Sequence, residues 1–121
     1  MCRGVRGATV AAANTRAAIL EATRELLAEI IAANDIAIDE VASIFFTMTP
    51  DLTQAYPATA AREMGWSDLA LLCAQEIDCP VGLPRMIRVL FHWNTKRSPQ
   101  EITHIYINGA EALRPDRTYQ K

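Results

Sequence analysis

The chain has 121 residues, which suits one domain with a single hydrophobic core. Half of the residues are apolar and the formal charge is −2, so nothing in the composition attracts the chain to nucleic acid or to an anionic membrane. The sequence shows no signal peptide and no apolar run that could span a bilayer. Its three cysteines form no Cys-x-x-Cys pair, which favours free thiols in the cytoplasm over a disulfide framework or a zinc site.

The first half of the chain predicts a strand, a long helix and a second strand. CRGVRGATV (2–10) has the two-residue period of a strand, with β-forming residues toward its end. Apolar residues then recur at helical spacing, with Asn14 or Thr15 as the N-cap and Asn34 at the end of the helix. SIFFTM (43–48) is a short apolar segment that predicts the second strand.

The second half predicts three more strands and two short helices. YPATAAREMGW (56–66) has a proline and a glycine where a helix of one or two turns would begin and end. LALLCAQEI (69–77) predicts the third strand and RMIRVLFHW (85–93) the fourth. SPQE (98–101) is a capping box that starts a short helix, and THIYI (103–107) predicts the fifth strand.

This order of elements predicts an α+β fold, a mixed sheet with one long helix and short helices on one face. One long helix cannot cover both faces of such a sheet. We therefore expect another subunit to cover the remaining apolar face, in an oligomer of cyclic symmetry. The expected organisation is a single domain over residues 1–121, with about 115–121 as a flexible C-terminal tail.

Arg88 is the most informative single residue. In the fourth predicted strand, Ile87 and Trp93 mark one apolar face, whereas Arg88 lies on the other face between Met86 and Leu90. A buried guanidinium without a partner costs several kcal/mol, so Arg88 is expected to meet an anion. An internal ion pair or a salt bridge between subunits would satisfy it as well as a ligand, so this residue alone does not decide its role.

Five other polar residues are expected near the ends of strands or on short connecting segments. They are Arg6, Arg62, Arg114, Glu76 and Tyr106. Each is more often structural than functional, but with Arg88 they suit a small ligand with two carboxylates, which guanidinium groups bind through paired hydrogen bonds. No Ser-His-Asp order, nucleotide loop or cluster of metal ligands is present, so we expect neither a metal nor a cofactor. His92 and His104 are interpreted as packing and strand-edge residues.

The motifs in their order resemble one known family, the monofunctional chorismate mutases of the trimeric, pseudo-α/β-barrel class. The matching segments cover nearly the whole chain: RGVRGAT, TPDLTQAYPATAAREMGW, CAQEID, IRV, HIY and LRPD. The resemblance implies a homotrimer with active sites in the clefts between subunits. It also implies the rearrangement of chorismate to prephenate, a step toward phenylalanine and tyrosine.

The resemblance further implies a role for each site residue. Arg88 would lie beside the ether oxygen of the breaking bond, Arg6 and Tyr106 would hold a substrate carboxylate, and Glu76, with Cys73 beside it, would receive the ring hydroxyl. The remaining contacts would come from the neighbouring subunit, the third strand and the mouth of the site. They are Tyr56, Ala58, Arg62, Leu72, Cys73, Ala74, Gln75, Leu113 and Arg114. Tyr56 and Thr59 depart from the family pattern, since relatives commonly have phenylalanine at the first position and the type member is expected to have lysine at the second.

These residue types fit a Claisen rearrangement, which needs no nucleophile, general base or metal. The enzyme must hold a flexible substrate in a compact conformer and stabilise the charge that develops on the ether oxygen. A non-catalytic sensor that binds a dicarboxylate on the same trimeric fold is the alternative. The intact set of Arg6, Glu76, Arg88 and Tyr106 favours the enzyme.

Overall fold

A computed structural model of the chain describes residues 1–113, so Arg114 and the predicted tail at 115–121 lie outside the described residues. The strands are β1 (Cys2–Val10), β2 (Val41–Met48), β3 (Ala70–Gln75), β4 (Met86–Asn94) and β5 (Ile105–Tyr106), and the helices are α1 (Arg16–Asn34) and α2 (Ala58–Glu63). The five strands form one sheet in the order β3-β2-β4-β1-β5. The predicted α+β class is confirmed.

The sheet is mixed, because its two central pairs are antiparallel and its two outer pairs are parallel. β4 is antiparallel to both of its neighbours, β1 and β2, whereas β3 is parallel to β2 and β5 is parallel to β1. In this register Ala8 and Thr47 lie directly on either side of Arg88. Arg6 lies opposite Leu90, one step along the same face.

Helix α1 packs against the sheet along one apolar stripe. It begins where the Thr15 hydroxyl accepts the backbone N–H of Ala18 at 3.1 Å, and it ends at Asp35, which adopts a left-handed conformation with φ 53°. A Cβ atom on Gly7 would lie 2.6 Å from Cδ1 of Ile30, so glycine lets the helix approach the strand closely. Within residues 1–113, no helix is both long and apolar enough to cross a membrane.

The two faces of the sheet differ in what covers them. The face under the helices is buried and carries Val5, Ile44, Phe46, Val89, Phe91 and Trp93. On the opposite face, which we call the open face, Phe45 is 43% and Leu72 58% exposed. At one end of the open face, a 3-10 turn (Ala110–Leu113) packs on Ala8, Met86 and Tyr106. The predicted alternation in the fourth strand and the helices on one face are therefore confirmed.

Strand β5 is shorter than the predicted strand at 103–107, because the buried side chain of Asn34 forms hydrogen bonds with both backbone groups of Thr103. The Thr103 N–H donates to Oδ1 of Asn34 at 2.8 Å, and Nδ2 of Asn34 donates to the Thr103 carbonyl at 2.9 Å. A side chain at the end of helix α1 thus takes the place of a neighbouring strand as the hydrogen-bonding partner of Thr103. The predicted helix at 98–101 is a single 3-10 turn (Pro99–Glu101) with its capping box in place.

A polar turn fixes the start of strand β4, two residues before Arg88. The Asp51 carboxylate accepts the Thr49 hydroxyl and the N–H of Arg85, the latter at 2.9 Å, and the Thr49 hydroxyl oxygen accepts the N–H of Met86 at 2.9 Å. Arg85 is in the left-handed region with φ 53°, a conformation that non-glycine residues rarely adopt without support. The Thr49 hydroxyl, more than any other group, holds the pKa of Asp51 below its ordinary value of 3.8.

Replacing Asp51 with asparagine is expected to lower the free energy of unfolding by about 1 kcal/mol at neutral pH, the usual contribution of a hydrogen bond. Because the folded pKa of Asp51 lies below the unfolded value, its charge stabilises the fold fully above about pH 4 and is lost as the pH falls through the folded pKa. Urea unfolding of both proteins between pH 2 and 7 checks this. The difference between them should shrink below pH 4, and a constant difference would contradict the assignment.

Candidate active site

Arg88 lies near the middle of the open face, on the strand at the centre of the sheet. Its neighbours on the adjacent strands are the small residues Ala8 and Thr47, which leave space above the sheet for a long side chain. The side chain is 52% exposed in the single chain. The expectation of a buried guanidinium is therefore not met within one chain, because residues 1–113 leave about half of this side chain exposed.

Glu76 holds the Arg88 guanidinium through two contacts. Nε of Arg88 lies 3.0 Å from Oε2 of Glu76, and Nη2 donates to Oε1 at 3.0 Å. The Thr47 hydroxyl donates to the same carboxylate, and the backbone N–H of Glu76 donates to the Met48 carbonyl at 2.8 Å. The internal ion pair, one of the interpretations that the sequence left open, is thus present. Two-point pairing also fixes the plane of the guanidinium.

Arg6 and Tyr106 lie beside Arg88 at the partly covered end of the open face. Together with Leu113 they line a cavity of about 210 Å³. The Tyr106 side chain is almost fully buried, and Ile107 donates its N–H to the Ala8 carbonyl at 3.0 Å, which holds this segment against β1. The structure therefore brings together four of the predicted site residues that lie on separate elements.

An apolar groove continues from the arginines along the open face toward β3. It has a volume of about 510 Å³, and Leu72 and Ala74 of β3 line it together with Arg6 and Arg88. A further cavity of about 500 Å³ lies between Arg88, Glu76 and the loop at 77–84. Leu72 and Ala74 thus line the same cavity as the two arginines.

The other predicted residues form a second group at the β3 edge of the sheet, near helix α2. Side chains alternate along β3, so Cys73 points away from the open face. Burial raises the pKa of the Cys73 thiol, against the opposing effects of the Ala58 backbone N–H and the Arg62 charge. Tyr56, at the start of this segment, is 69% exposed.

The two groups do not meet within one chain. None of the three cavities that Arg88 lines is also lined by Tyr56, Ala58, Arg62, Cys73 or Gln75. In the single chain Cys73 and Glu76 project to opposite faces of the sheet, and the role that the resemblance implies for Cys73 stays a prediction.

Sequence reasoning missed two residues that support the site. Thr47 could have been found, because strand alternation places it on the same face as Phe45 and its hydroxyl then needs a partner. His104 carried no such signal: its Nδ1 accepts the backbone N–H of Arg6 at 2.9 Å, a contact between residues 98 positions apart.

Comparison with known proteins matches this fold and this order of residues. The family described as chorismate mutase type I matches residues 2–117. A chorismate mutase AroH from Thermus thermophilus is 47% identical over 96% of this chain and 96% of its own length. Chorismate mutase AroH from Bacillus subtilis (strain 168) is 38% identical over the whole of this chain and 96% of its own length. A chorismate mutase structure from Clostridium thermocellum superposes with a TM-score of 0.90 and 45% identity, covering 92% of this chain and 99% of that one.

The α+β fold and its full-length relatives therefore define an isomerase. The chain belongs to the chorismate mutase type I family, and its activity is that of a chorismate mutase.

Proposed function

We propose that the chain rearranges chorismate to prephenate in the cavities of the open face that Arg6, Glu76, Arg88 and Tyr106 line, and that it does so in the biosynthesis of phenylalanine and tyrosine. The observation that carries this assignment is the guanidinium of Arg88, held at two points by Glu76 beside a second guanidinium, that of Arg6. Two cations at one end of an apolar groove suit a small ring compound with two carboxylates.

Arg88 is proposed to stabilise the transition state. As the C–O bond of the enolpyruvyl ether lengthens, negative charge develops on the ether oxygen. A cation beside that oxygen then binds the transition state more strongly than the substrate, which raises kcat. Because Glu76 already fixes the guanidinium, little reorganisation is required during the reaction.

Arg6 and Tyr106 are proposed to hold one carboxylate of the substrate and so to keep the enolpyruvyl chain over the ring. Glu76 is proposed to receive the ring hydroxyl. A carboxylate has about four lone-pair positions. Arg88 and Thr47 occupy three of those on Glu76 and leave one for a further donor.

A homotrimer with sites between subunits is proposed on two observations. The open face carries exposed apolar side chains, Phe45 and Leu72 among them, that a second subunit could cover. The residues near α2, including Tyr56 and Arg62, line none of the cavities beside Arg88 in their own chain. In a closed ring of subunits, the α2 group of one chain would complete the Arg88 site of the next.

The proposed location is the cytoplasm, and the proposed partners are chorismate and further copies of the chain, without nucleic acid or membrane. The three cysteines, Cys2, Cys73 and Cys79, are free thiols, which a reducing compartment favours. The net charge of −2 supports the absence of a polyanionic partner.

The test is a direct assay of the purified protein with chorismate, without added metal or cofactor. Loss of the diene absorbance of chorismate, with prephenate as the product, is the expected result. A sensor would instead raise its melting temperature in the presence of chorismate while the absorbance stays constant. That second outcome would overturn the catalytic assignment.

A further inference from the structure

The backbone N–H of Arg6 donates to a side chain, whereas in a regular sheet it would donate to a backbone carbonyl of the neighbouring strand. The N–H of Arg6 donates to Nδ1 of His104, which lies directly before β5, at a distance of 2.9 Å. A nitrogen that accepts a hydrogen bond carries no proton, so the imidazole presents Nδ1 as its acceptor here. His104 contacts β1 at the residue that we assign to the substrate carboxylate.

The register of β1 and β5 explains why a side chain is needed at this point. Ala8 is paired with Tyr106, and the Ala8 carbonyl accepts the N–H of Ile107. Continuing the parallel ladder by two residues would give the Arg6 N–H the Thr103 carbonyl as its acceptor. That carbonyl instead accepts Nδ2 of Asn34 at 2.9 Å, and β5 begins only at Ile105.

We propose that His104 is a positioning residue for Arg6. Its imidazole replaces the backbone acceptor that Asn34 removes, and it ties the Arg6 main chain to the segment that carries Tyr106 two residues later. The proposal depends on the role assigned above to Arg6, and it explains how two groups on different strands are held at a fixed separation. Two groups that bind the same carboxylate need such a fixed separation.

His104→Phe and His104→Asn form a matched pair of variants. Phenylalanine keeps a ring of similar size but has no acceptor. Asparagine carries Oδ1 the same number of bonds from the main chain as Nδ1 of histidine, so it can accept the Arg6 N–H. A role in filling space would be satisfied by phenylalanine and not by asparagine, whereas the proposed role requires the reverse.

The experiment measures kcat and KM for both variants with chorismate. Because Arg6 is proposed to bind the carboxylate in the substrate and in the transition state alike, His104→Phe is expected to raise KM by about tenfold with a smaller change in kcat. His104→Asn should stay within about threefold of the unsubstituted protein in both constants. A purely structural defect would lower the concentration of active enzyme, which reduces the apparent kcat and leaves KM unchanged.

A double-mutant cycle with Arg6→Ala separates this inference from the proposed function. In the Arg6→Ala background, His104→Phe should have no further effect on kcat/KM, because the group that it positions is gone. Full additivity of the two substitutions, or a failure of His104→Asn to restore KM, would overturn the role of His104. If Arg6→Ala alone left kcat/KM unchanged, the role assigned to Arg6 would be the one that fails.

Discussion

Replacing Arg88 with alanine is expected to lower kcat by a factor of about a hundred to a thousand. This range corresponds to the loss of about 2.7 to 4 kcal/mol of transition-state stabilisation, typical of removing one preorganised donor. The loss should be large because the Glu76 contacts fix the guanidinium before substrate arrives. Arg88→Lys should also be poor, since an ammonium group cannot reproduce a planar, two-point contact. Steady-state assays of both variants measure the effect.

Arg24→Ala is the matched control for the Arg88 variants. Arg24 is also a partly exposed arginine in an ion pair, 3.0 Å from Glu21, but it lies on helix α1 away from the open face. Its removal should change kcat by less than about twofold, because exposed pairs contribute little even to stability. Circular dichroism and sedimentation should show that all variants keep their fold and assembly. Activity of Arg88→Ala within a few-fold of the unsubstituted protein would show that the assigned role is wrong.

Replacing Phe45 with aspartate is expected to dissociate the proposed trimer and to abolish measurable turnover. Phe45 lies on the open face, is 43% exposed in the single chain and packs its ring edge-on against His92, with centroids 5.5 Å apart. A carboxylate in an apolar interface costs several kcal/mol when it has no partner, and cyclic symmetry repeats that cost once per subunit. Light scattering after size exclusion measures the mass, and the chorismate assay measures the loss of activity.

Ala28→Asp is the control for the Phe45 variant. Ala28 is an exposed small residue on helix α1, so a carboxylate there remains in water and should leave both mass and turnover unchanged. Because Phe45 is not part of the buried core, the Phe45→Asp chain should keep its secondary structure and a cooperative melting transition. A monomer with normal turnover would contradict a site shared between subunits, and an intact trimer with normal turnover would contradict the position of Phe45 in the interface.

The fold class could be predicted from the sequence because local patterns specify each element. The alternation around Arg88 and the caps of helix α1 depend on residues close in sequence, and the structure confirms both. The length of β5 could not be predicted, because it depends on Asn34, a residue about 70 positions away that removes Thr103 from the ladder. The side-chain pattern of a segment shows that it can form a strand. The hydrogen-bonding partners of its backbone decide how many of its residues pair in the sheet.

The candidate site could be predicted in part, because the alternation of side chains along a strand indicates which residues share one face of the sheet. Arg6 and Arg88 were both expected near a ligand, and they line one cavity. The exposure of Arg88 was not predictable, since it depends on which face the helices leave uncovered. The resemblance placed Cys73 beside Glu76, whereas alternation along β3 directs its side chain to the other face of the sheet in the single chain. The assignment of roles to these residues stays a prediction.

The position of β1 in the sheet has a consequence for the order in which the chain can fold. β1 is the first strand to be synthesised, yet both of its partners, β4 and β5, begin more than 80 residues later. At a translation rate of about 5 to 20 residues per second, the backbone groups of β1 remain without their strand partners for several seconds while the chain is being synthesised. Pairing over such long sequence separations closes large loops, which slows folding. We expect β1 to join the sheet only after β4 is complete, and β5, which lies at the sheet edge beside β1, to pair after it.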